Sequence, residues 1–335
     1  MRDDLTAGGG HHVRYLAAAD VELCLPPLDV QLELAEQALR ALAQGGAEMP
    51  PKVGVHPRPG ALLHAMPAWL RGQDLVGLKW VSAFPSNNAR GIPAINGLIV
   101  LNDAETGMPV AIIDAARITA VRTAAVTGVA LRLFLGPDAR RVAILGSGVQ
   151  ARSHLPVVAA LLPGASVVAY DRHPERAERF ADEVRRQPGV AEALTAVDPR
   201  TAVADADLII TVASLGSASQ VMTPNWLAPG AVVIAVDFAT YAAAELARTA
   251  ALFAVDDRAQ FLAYRDAGHF EGYPDPTLAM GEAIEQDPRA AGAAAPDPRG
   301  HILVTHLGVG LADVLFAEAV RLTAGKKGIG LLLPQ

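Results

Sequence analysis

Only one of the 335 residues is cysteine, Cys24. A single thiol excludes an intrachain disulfide framework and a zinc site built on cysteines. Aromatic residues make up 5% of a chain that is 51% hydrophobic, so a core must be built mainly from Ala, Val and Leu. Positive charge is in deficit: the formal net charge is −7, which argues against a nucleic-acid surface but leaves room for a local cationic pocket. No apolar run reaches the roughly eighteen residues of a membrane span. The opening MRDDLTAGGGHHVRYL has no continuous apolar core of the signal-peptide kind, so a cytoplasmic protein is expected. The nine histidines show no metal-ligand spacing, and no GxSxG elbow accompanies Ser214, Ser217 or Ser219. No repeat of solenoid length is visible.

What the chain does contain is a strand–turn–helix–strand unit from Arg140 to Asp171. The apolar run Val142–Leu145 has the length of a buried parallel strand. Gly146, Ser147, Gly148, Val149, Gln150 and Ala151 follow, then a helical stretch and a second apolar run, Val167–Tyr170. Gly146 permits a sharp turn and Gly148 lets a pyrophosphate approach the backbone. Ala151, in place of a third glycine, allows close helix–strand packing. The helix start offers free N–H groups and a partial positive charge to phosphates. Asp171 sits close to the usual offset of about 20 residues for an acid that holds ribose hydroxyls. That acid favours NAD, whereas Arg172, His173 and Arg176 directly after it offer a receptor for the 2′-phosphate of NADP.

Around this unit the chain changes character. Residues 1–15 read as a polar, flexible lead-in with His11 and His12 in a loop, and Val30–Leu42 reads as a helix. Short strands follow at Lys52–His56, Ala61–Met66, Val76–Val81, Ile95–Asn102 and Val110–Asp114, punctuated by prolines in the manner of an antiparallel, hairpin-containing sheet. Ile118–Leu135 is an alanine-rich helix stopped by Gly136-Pro137, where a domain boundary is expected. Leu208–Val212 and Ala231–Val236 add buried strands, giving a doubly wound parallel sheet. Asp171, Val212, Ala213, Val236 and Asp237 lie at or just beyond strand ends, on the side where such sheets bind ligands. Residues 286–300 read as a surface loop, His269 with Tyr273 as a candidate lid, Ile302–Leu307 as a strand and Gly308–Leu322 as the final helix, with a short strand to close the chain. His306, just before that helix, is either structural or close to the nicotinamide.

Three cations stand in apolar surroundings: Lys79 in GLKWVSAFP, Arg122 in ITAVRTAAVTG and Lys52 in PPKVGVHP. Lysine and arginine are rarely buried without a partner, so each alone reads first as an ion-paired structural residue. Three in the same half of the chain, outside the nucleotide unit, point to an anion pocket. An arginine can clamp a carboxylate through two parallel hydrogen bonds. A desolvated lysine can lose enough basicity to carry protons.

HAMPAWL, GLKWVSAFPSN, LNDAETGMPVAIIDAARITAVRTAA and GSGVQAR, in that order, closely resemble the ornithine cyclodeaminase / mu-crystallin family, and the resemblance runs from about residue 25 to 325. It implies an α/β fold: a Rossmann-type doubly wound parallel sheet plus an α+β substrate and dimerisation domain. The Rossmann domain would span residues 136–304, and the second domain residues 1–135 with 305–335. By the same resemblance Lys79 faces the reacting carbon and Arg122 holds the substrate carboxylate. Lys52 stands where the cyclodeaminases carry another carboxylate-binding arginine, Met66 lines the pocket wall, and Thr123 lies near the cofactor phosphates. The cyclodeaminases also carry an amine-binding aspartate three residues beyond the run ending at Val236; here that position is Ala239, and the nearest acid is Asp237.

The expected activity is therefore NAD(P)-dependent hydride transfer at a C–N carbon of a carboxylate-bearing imine or amino acid. Lys79 and Asp237 are the candidate catalytic groups; Lys52, Met66, Lys79 and Arg122 bind substrate. Thr123, Gly146, Ser147, Gly148, Val149, Gln150, Asp171, Arg172, Val212, Ala213, Val236 and Asp237 hold the cofactor, with no metal. The expected assembly is a homodimer. Two alternatives remain open: an ornithine or lysine cyclodeaminase that uses NAD catalytically and releases ammonia, and a nicotinamide-nucleotide-binding protein without turnover.

Overall fold

A computed structural model describes residues 11–213, 219–286 and 300–335 of the chain. It divides into two compact units, Met1–Arg122 with Val309–Gln335, and Thr123–Gly308. The division falls inside a continuous helix rather than at the expected Gly136-Pro137. Turn residues mark where an element stops, whereas a packing unit can change partway along one helix.

The first unit is an eight-stranded sheet. In chain order its strands are β1 (His12–Leu16), β2 (Ala47–Glu48), β3 (Val53–Arg58), β4 (Ala61–Leu70), β5 (Leu75–Ala83), β6 (Ile95–Asp103) and β7 (Pro109–Asp114), closed by Leu331–Pro334. The spatial order is Leu331–Pro334, β1, β7, β6, β5, β4, β2, with β3 also on β4. The lead-in expected over residues 1–15 is thus corrected: His12 to Leu16 form a strand between β7 and the chain's last strand. Both partners are remote in sequence, so nothing local announces β1. The long antiparallel strands β4, β5 and β6 alternate, and one face of them carries Met66, Ala68, Leu70, Gly77, Lys79, Ile99 and Leu101. That face is covered by the final helix, Gly310–Lys327, which also packs on α1 (Ala18–Cys24) and α2 (Leu28–Ala43). The opposite face leaves Val53, Val55, Trp80, Leu98, Leu331 and Leu333 exposed.

The second unit begins in α3 (Ala116–Phe134). Its strands are β8 (Arg141–Leu145), β9 (Ala165–Tyr170), β10 (Val190–Thr195), β11 (Leu208–Thr211), β12 (Val232–Ala235), β13 (Leu252–Val255), β14 (Leu278–Ala279) and β15 (Ile302–Thr305). They form a wholly parallel sheet in the order β10-β9-β8-β11-β12-β15-β13-β14. Strands β8, β11 and β12 are unbroken apolar runs because both of their faces are buried. The order reverses between β8 and β11, the topological switch point where doubly wound sheets open a ligand crevice. Tyr273, expected in a lid, is instead a core residue: it is buried, packs against Phe253, Phe261 and Phe270, and donates its hydroxyl to the Ala242 carbonyl at 2.8 Å. The expected loop at 286–300 lies almost wholly outside the described residues, as do Ser214 and Ser217.

Candidate active site

In the first unit, β5 places Lys79 on the helix-covered face, opposite Met66 of β4 and Ile99 of β6. Lys79 is 1% exposed, and its Nζ lies 2.6 Å from Oδ2 of Asp313 and 3.5 Å from Oγ1 of Thr119. Arg122, one helical turn beyond Thr119, donates through Nε to Oδ1 of Asp313 at 2.8 Å. Its Nη1 is buried and has no hydrogen-bond partner among the described residues. The final helix can bring Asp313 this close because Gly310 starts it: a Cβ at 310 would sit 3.0 Å from the Met66 carbonyl oxygen. Lys52 is near enough for its charge to act on Lys79. The structure therefore gathers Lys52, Met66, Lys79 and Arg122, all named from the sequence.

Asp313 was not foreseen. It is the lone acid among apolar neighbours in GLADVLF, and an acid on the buried stripe of a helix demands a cationic partner just as a buried lysine demands an acid. Burial lowers the Lys79 pKa to about 7, and the Arg122 charge adds to that; Asp313 pulls the other way. Burial alone would raise the Asp313 carboxyl, but Arg122 and then Lys79 outweigh it and hold the group ionised. The cluster carries two positive charges and one negative charge, with a guanidinium N–H left to donate. Such an arrangement can receive a carboxylate and supply a proton beside it.

In the second unit, the turn after β8 passes over the end of β11. Gly146 has φ +108°, and a Cβ there would lie 2.7 Å from the Val212 carbonyl oxygen and 3.0 Å from the Ala213 nitrogen. Gly146→Ala should therefore cost about 2–4 kcal/mol in clash and backbone strain. Denaturant unfolding would measure that loss, and an NADH titration should show weakened binding alongside it. Gly148 caps α4 (Val149–Leu161) without a side-chain hydrogen bond, and a Cβ on it would meet nothing within 4 Å. The start of α4, whose first N–H groups have no partner within the helix, thus adjoins a side-chain-free position with open space beside it, a cradle that fits a pyrophosphate. Asp171, at the end of β9, is half-buried. Its Oδ2 accepts from Ser147 N at 3.1 Å and Ser147 Oγ at 2.6 Å, and its Oδ1 accepts from His173 N at 3.0 Å. Burial raises its pKa, yet these donors, led by the Ser147 hydroxyl, bring it below the usual carboxylate range. A carboxylate offers about four acceptor sites, so one remains for a ribose hydroxyl. Arg172 and Arg176 are exposed beside it.

Asp237 follows β12 and is buried, accepting from the Thr211 hydroxyl at 2.7 Å and the Ala213 N–H at 3.1 Å. Burial pushes its pKa up to about 7 against those two bonds. Its oxygens tie the end of β12 to the end of β11, which places Val212, Ala213 and Val236 at the same carboxyl edge. Ala239 is buried, with no acid in its place. Thr123 is buried in α3, and one turn on Thr127 joins a further polar chain. His154 Nδ1 lies 2.7 Å from the Gln150 carbonyl, which can only accept, so His154 Nε2 is an acceptor. The Thr127 hydroxyl must then donate to His154 Nε2 at 2.9 Å and accept from His306 Nε2 at 2.9 Å. Burial lowers the His154 pKa to about 4, which keeps it neutral in this chain. His306 thus stands at the end of β15 with its tautomer set by buried partners. Among the described residues no group of three or more His, Cys, Asp or Glu could hold a metal.

The chain is similar to known proteins over most of its length. The chain is 32% identical over 322 residues to the nodulation efficiency protein NfeD of Rhizobium meliloti, covering 96% of this chain and 98% of that one. It is 31% identical to ketimine reductase mu-crystallin of Mus musculus, over 66% of this chain and 70% of that protein. An archaeal alanine dehydrogenase dimer with bound NAD superimposes with a TM-score of 0.81 at 26% identity, covering 96% of this chain and 99% of that one. The ornithine cyclodeaminase/mu-crystallin family profile matches residues 13–269. Together with the wholly parallel sheet, its glycine turn and the cation cluster, these matches establish that the chain belongs to the ornithine cyclodeaminase/mu-crystallin family.

Proposed function

We propose that this chain is an NAD(P)-dependent oxidoreductase that reduces the C=N bond of a small carboxylate-bearing imine, or oxidises the matching amino acid. The observation that carries the reading is the buried Arg122 donor beside Lys79, a lysine poised to release a proton near neutral pH. Arg122, with Lys52 at the pocket edge, neutralises the substrate carboxylate and so orients the neighbouring carbon. Lys79 gives its proton to the imine nitrogen, which makes the carbon a better hydride acceptor. Met66 walls the pocket. The dinucleotide is held by Gly146 to Gln150 and Thr123 around its phosphates, by Asp171 and Arg172 around its ribose, and by Val212, Ala213, Val236 and Asp237 at the strand ends. When bound, its nicotinamide supplies the hydride. Ionised Asp171 favours NAD over NADP, since it repels a 2′-phosphate. The names of two relatives, a ketimine reductase and an alanine dehydrogenase, support this chemistry. Ala239 supports a reductase over a cyclodeaminase, because an alanine cannot hold a substrate amine.

The test is a panel of cyclic and acyclic carboxylate-bearing imines with NADH or NADPH, followed by loss of absorbance at the reduced nicotinamide band. Oxidation of NADH by at least one imine is the expected result. Ammonia release from ornithine or lysine without net NADH change would instead establish the cyclodeaminase. Nucleotide binding with no oxidation across the panel would establish a non-catalytic protein. A cytoplasmic enzyme is the proposal, in keeping with an opening segment that lacks a signal-peptide core. Among the described residues no helix is long and apolar enough to cross a membrane.

The exposed face of the first unit's sheet supports a homodimer. Tyr15, Leu331, Leu333, Leu98, Trp80, Val53 and Val55 share that face by strand register and are spread over five strands of the sheet. Apolar faces of this extent mark an interface, and a second copy of the same face is its simplest complement. The related archaeal alanine dehydrogenase is itself a dimer. Sedimentation should give the mass of two chains, and Trp80→Glu, with Trp80 at 41% exposure, should shift it to one. A wild-type chain that sediments as a monomer at micromolar concentration would end the dimer proposal.

A further inference from the structure

Neither Lys79 nor Arg122 accounts for the way both use one acid. Asp313 is 0% exposed and stands 191 residues from Arg122 in sequence. Each of its oxygens faces a different cation: Oδ1 takes the Arg122 Nε–H at 2.8 Å, and Oδ2 lies 2.6 Å from Lys79 Nζ. Engaging Arg122 by Nε rather than by its outer nitrogens leaves Nη1 buried with a hydrogen to give. We propose that Asp313 is the positioning residue of the carboxylate pocket: it anchors the Lys79 ammonium as proton donor and turns Arg122 so that Nη1 is left for substrate. The inference rests on the reductase reading above and goes beyond it by assigning a role to the final helix.

Charge counting supports the assignment. The buried groups of the cluster, Lys79, Arg122 and Asp313, together carry +1, which a monocarboxylate substrate brings to zero; Lys52 is not buried and its charge is screened by solvent. In the proton step an N–H bond of the Lys79 ammonium breaks and a bond forms to the imine lone pair. The lysine becomes a neutral amine and the substrate nitrogen becomes an iminium. The enclosed charge stays at zero, so the step creates no new uncompensated charge in a buried place. The iminium carbon is then the better acceptor for the hydride that bound reduced nicotinamide would supply, and the lysine regains its proton from water. Without Asp313, two cations would face each other, and Lys79 would shed its proton to relieve the repulsion. The other groups around Lys79 are Met66 and, two residues before it on the same face of β4, His64; Ile99 of β6; Thr119 and Arg122 of α3; and Lys52. None of these is an acid, so the negative charge beside Lys79 is that of Asp313.

The experiment compares kcat/KM against pH for the wild type, Asp313→Asn and Asp313→Glu, using NADH and an imine that the panel identifies. In parallel, calorimetry follows binding of pyrrole-2-carboxylate, a flat carboxylate that cannot accept hydride, across the same pH range. The wild type should lose both activity and analogue binding as pH rises through about 7. Asp313→Asn should move both midpoints at least one pH unit toward acid and cut kcat/KM at pH 7.5 by tenfold or more. Asp313→Glu should keep the wild-type midpoints, because it keeps the charge. A folded Asp313→Asn protein with unmoved midpoints overturns the proposal. If Asp313→Asn does not fold, Asp313→Glu decides: a midpoint displaced by a unit overturns it, and an unmoved one supports it. A wild type that oxidises NADH with no imine ends the reductase reading separately. The analogue-binding midpoints then judge Asp313 by themselves, since capturing a carboxylate needs no turnover.

Discussion

Lys79→Met is expected to lower kcat/KM for imine reduction by about 10²–10⁴-fold at neutral pH, the usual range for losing a positioned general acid. Methionine keeps most of the buried stem and removes the proton, so the change isolates the chemistry from the packing. The loss should fall in kcat as well as in kcat/KM, because an imine nitrogen without a proton is a poor hydride acceptor. The pH profile gives the second half of the prediction. Burial, aided by Arg122, brings the Lys79 pKa down to about 7, so the acid form is present below that pH and disappears above it. The wild-type profile should be level on the acid side and fall about tenfold per unit on the alkaline side, whereas Lys79→Met should lack that limb. Steady-state rates from pH 5.5 to 9, with NADH affinity measured as a control, check both. A variant with wild-type kcat and a raised KM alone would remove Lys79 from the proton step and leave it a binding role.

Arg122→Ala should act on two quantities at once. Losing the carboxylate clamp is expected to lower kcat/KM by about 10³-fold, in line with the 2–5 kcal/mol seen when one partner of a buried, hydrogen-bonded charge pair is truncated. Most of this should appear in KM, because the clamp holds ground state and transition state alike. The same substitution removes one of the two cations that Asp313 faces. Unbalancing a buried ion cluster typically destabilises by about 3–5 kcal/mol, which denaturant unfolding would register. Arg122→Lys should restore little of the lost binding, since an ammonium lacks the planar fork. An Arg122→Ala protein that retains the wild-type KM for its imine would contradict the carboxylate assignment.

Much of the nucleotide unit was legible because its determinants are local. The turn at Gly146 needs a residue that tolerates φ +108°, the strands before and after it are short apolar runs, and Asp171 closes the second of them. The long strands β4, β5 and β6 were found for a similar reason, although β4 and β5 run a few residues beyond the expected span and β6 runs to Asp103 rather than Asn102. Strand β1 was missed, since HVRYL is too short to show alternation and its partners are β7 and the last strand. Tyr273 looked like a lid residue beside its glycines, and its burial came from aromatic neighbours that the linear order does not reveal.

The candidate site divides along the same line. Sequence alone determined which residues had chemistry to offer: Lys79, Arg122 and Lys52 by their apolar surroundings, and Gly146 to Gln150 with Asp171 by their spacing. Those are properties of a residue and its immediate neighbours along the chain. Only the tertiary structure decided that Asp313, from the final helix, stands between Lys79 and Arg122, and that Asp237 spends both oxygens on Thr211 and Ala213. Electrostatics and hydrogen bonding act through space, and folding alone brings residues so distant along the chain within hydrogen-bond reach.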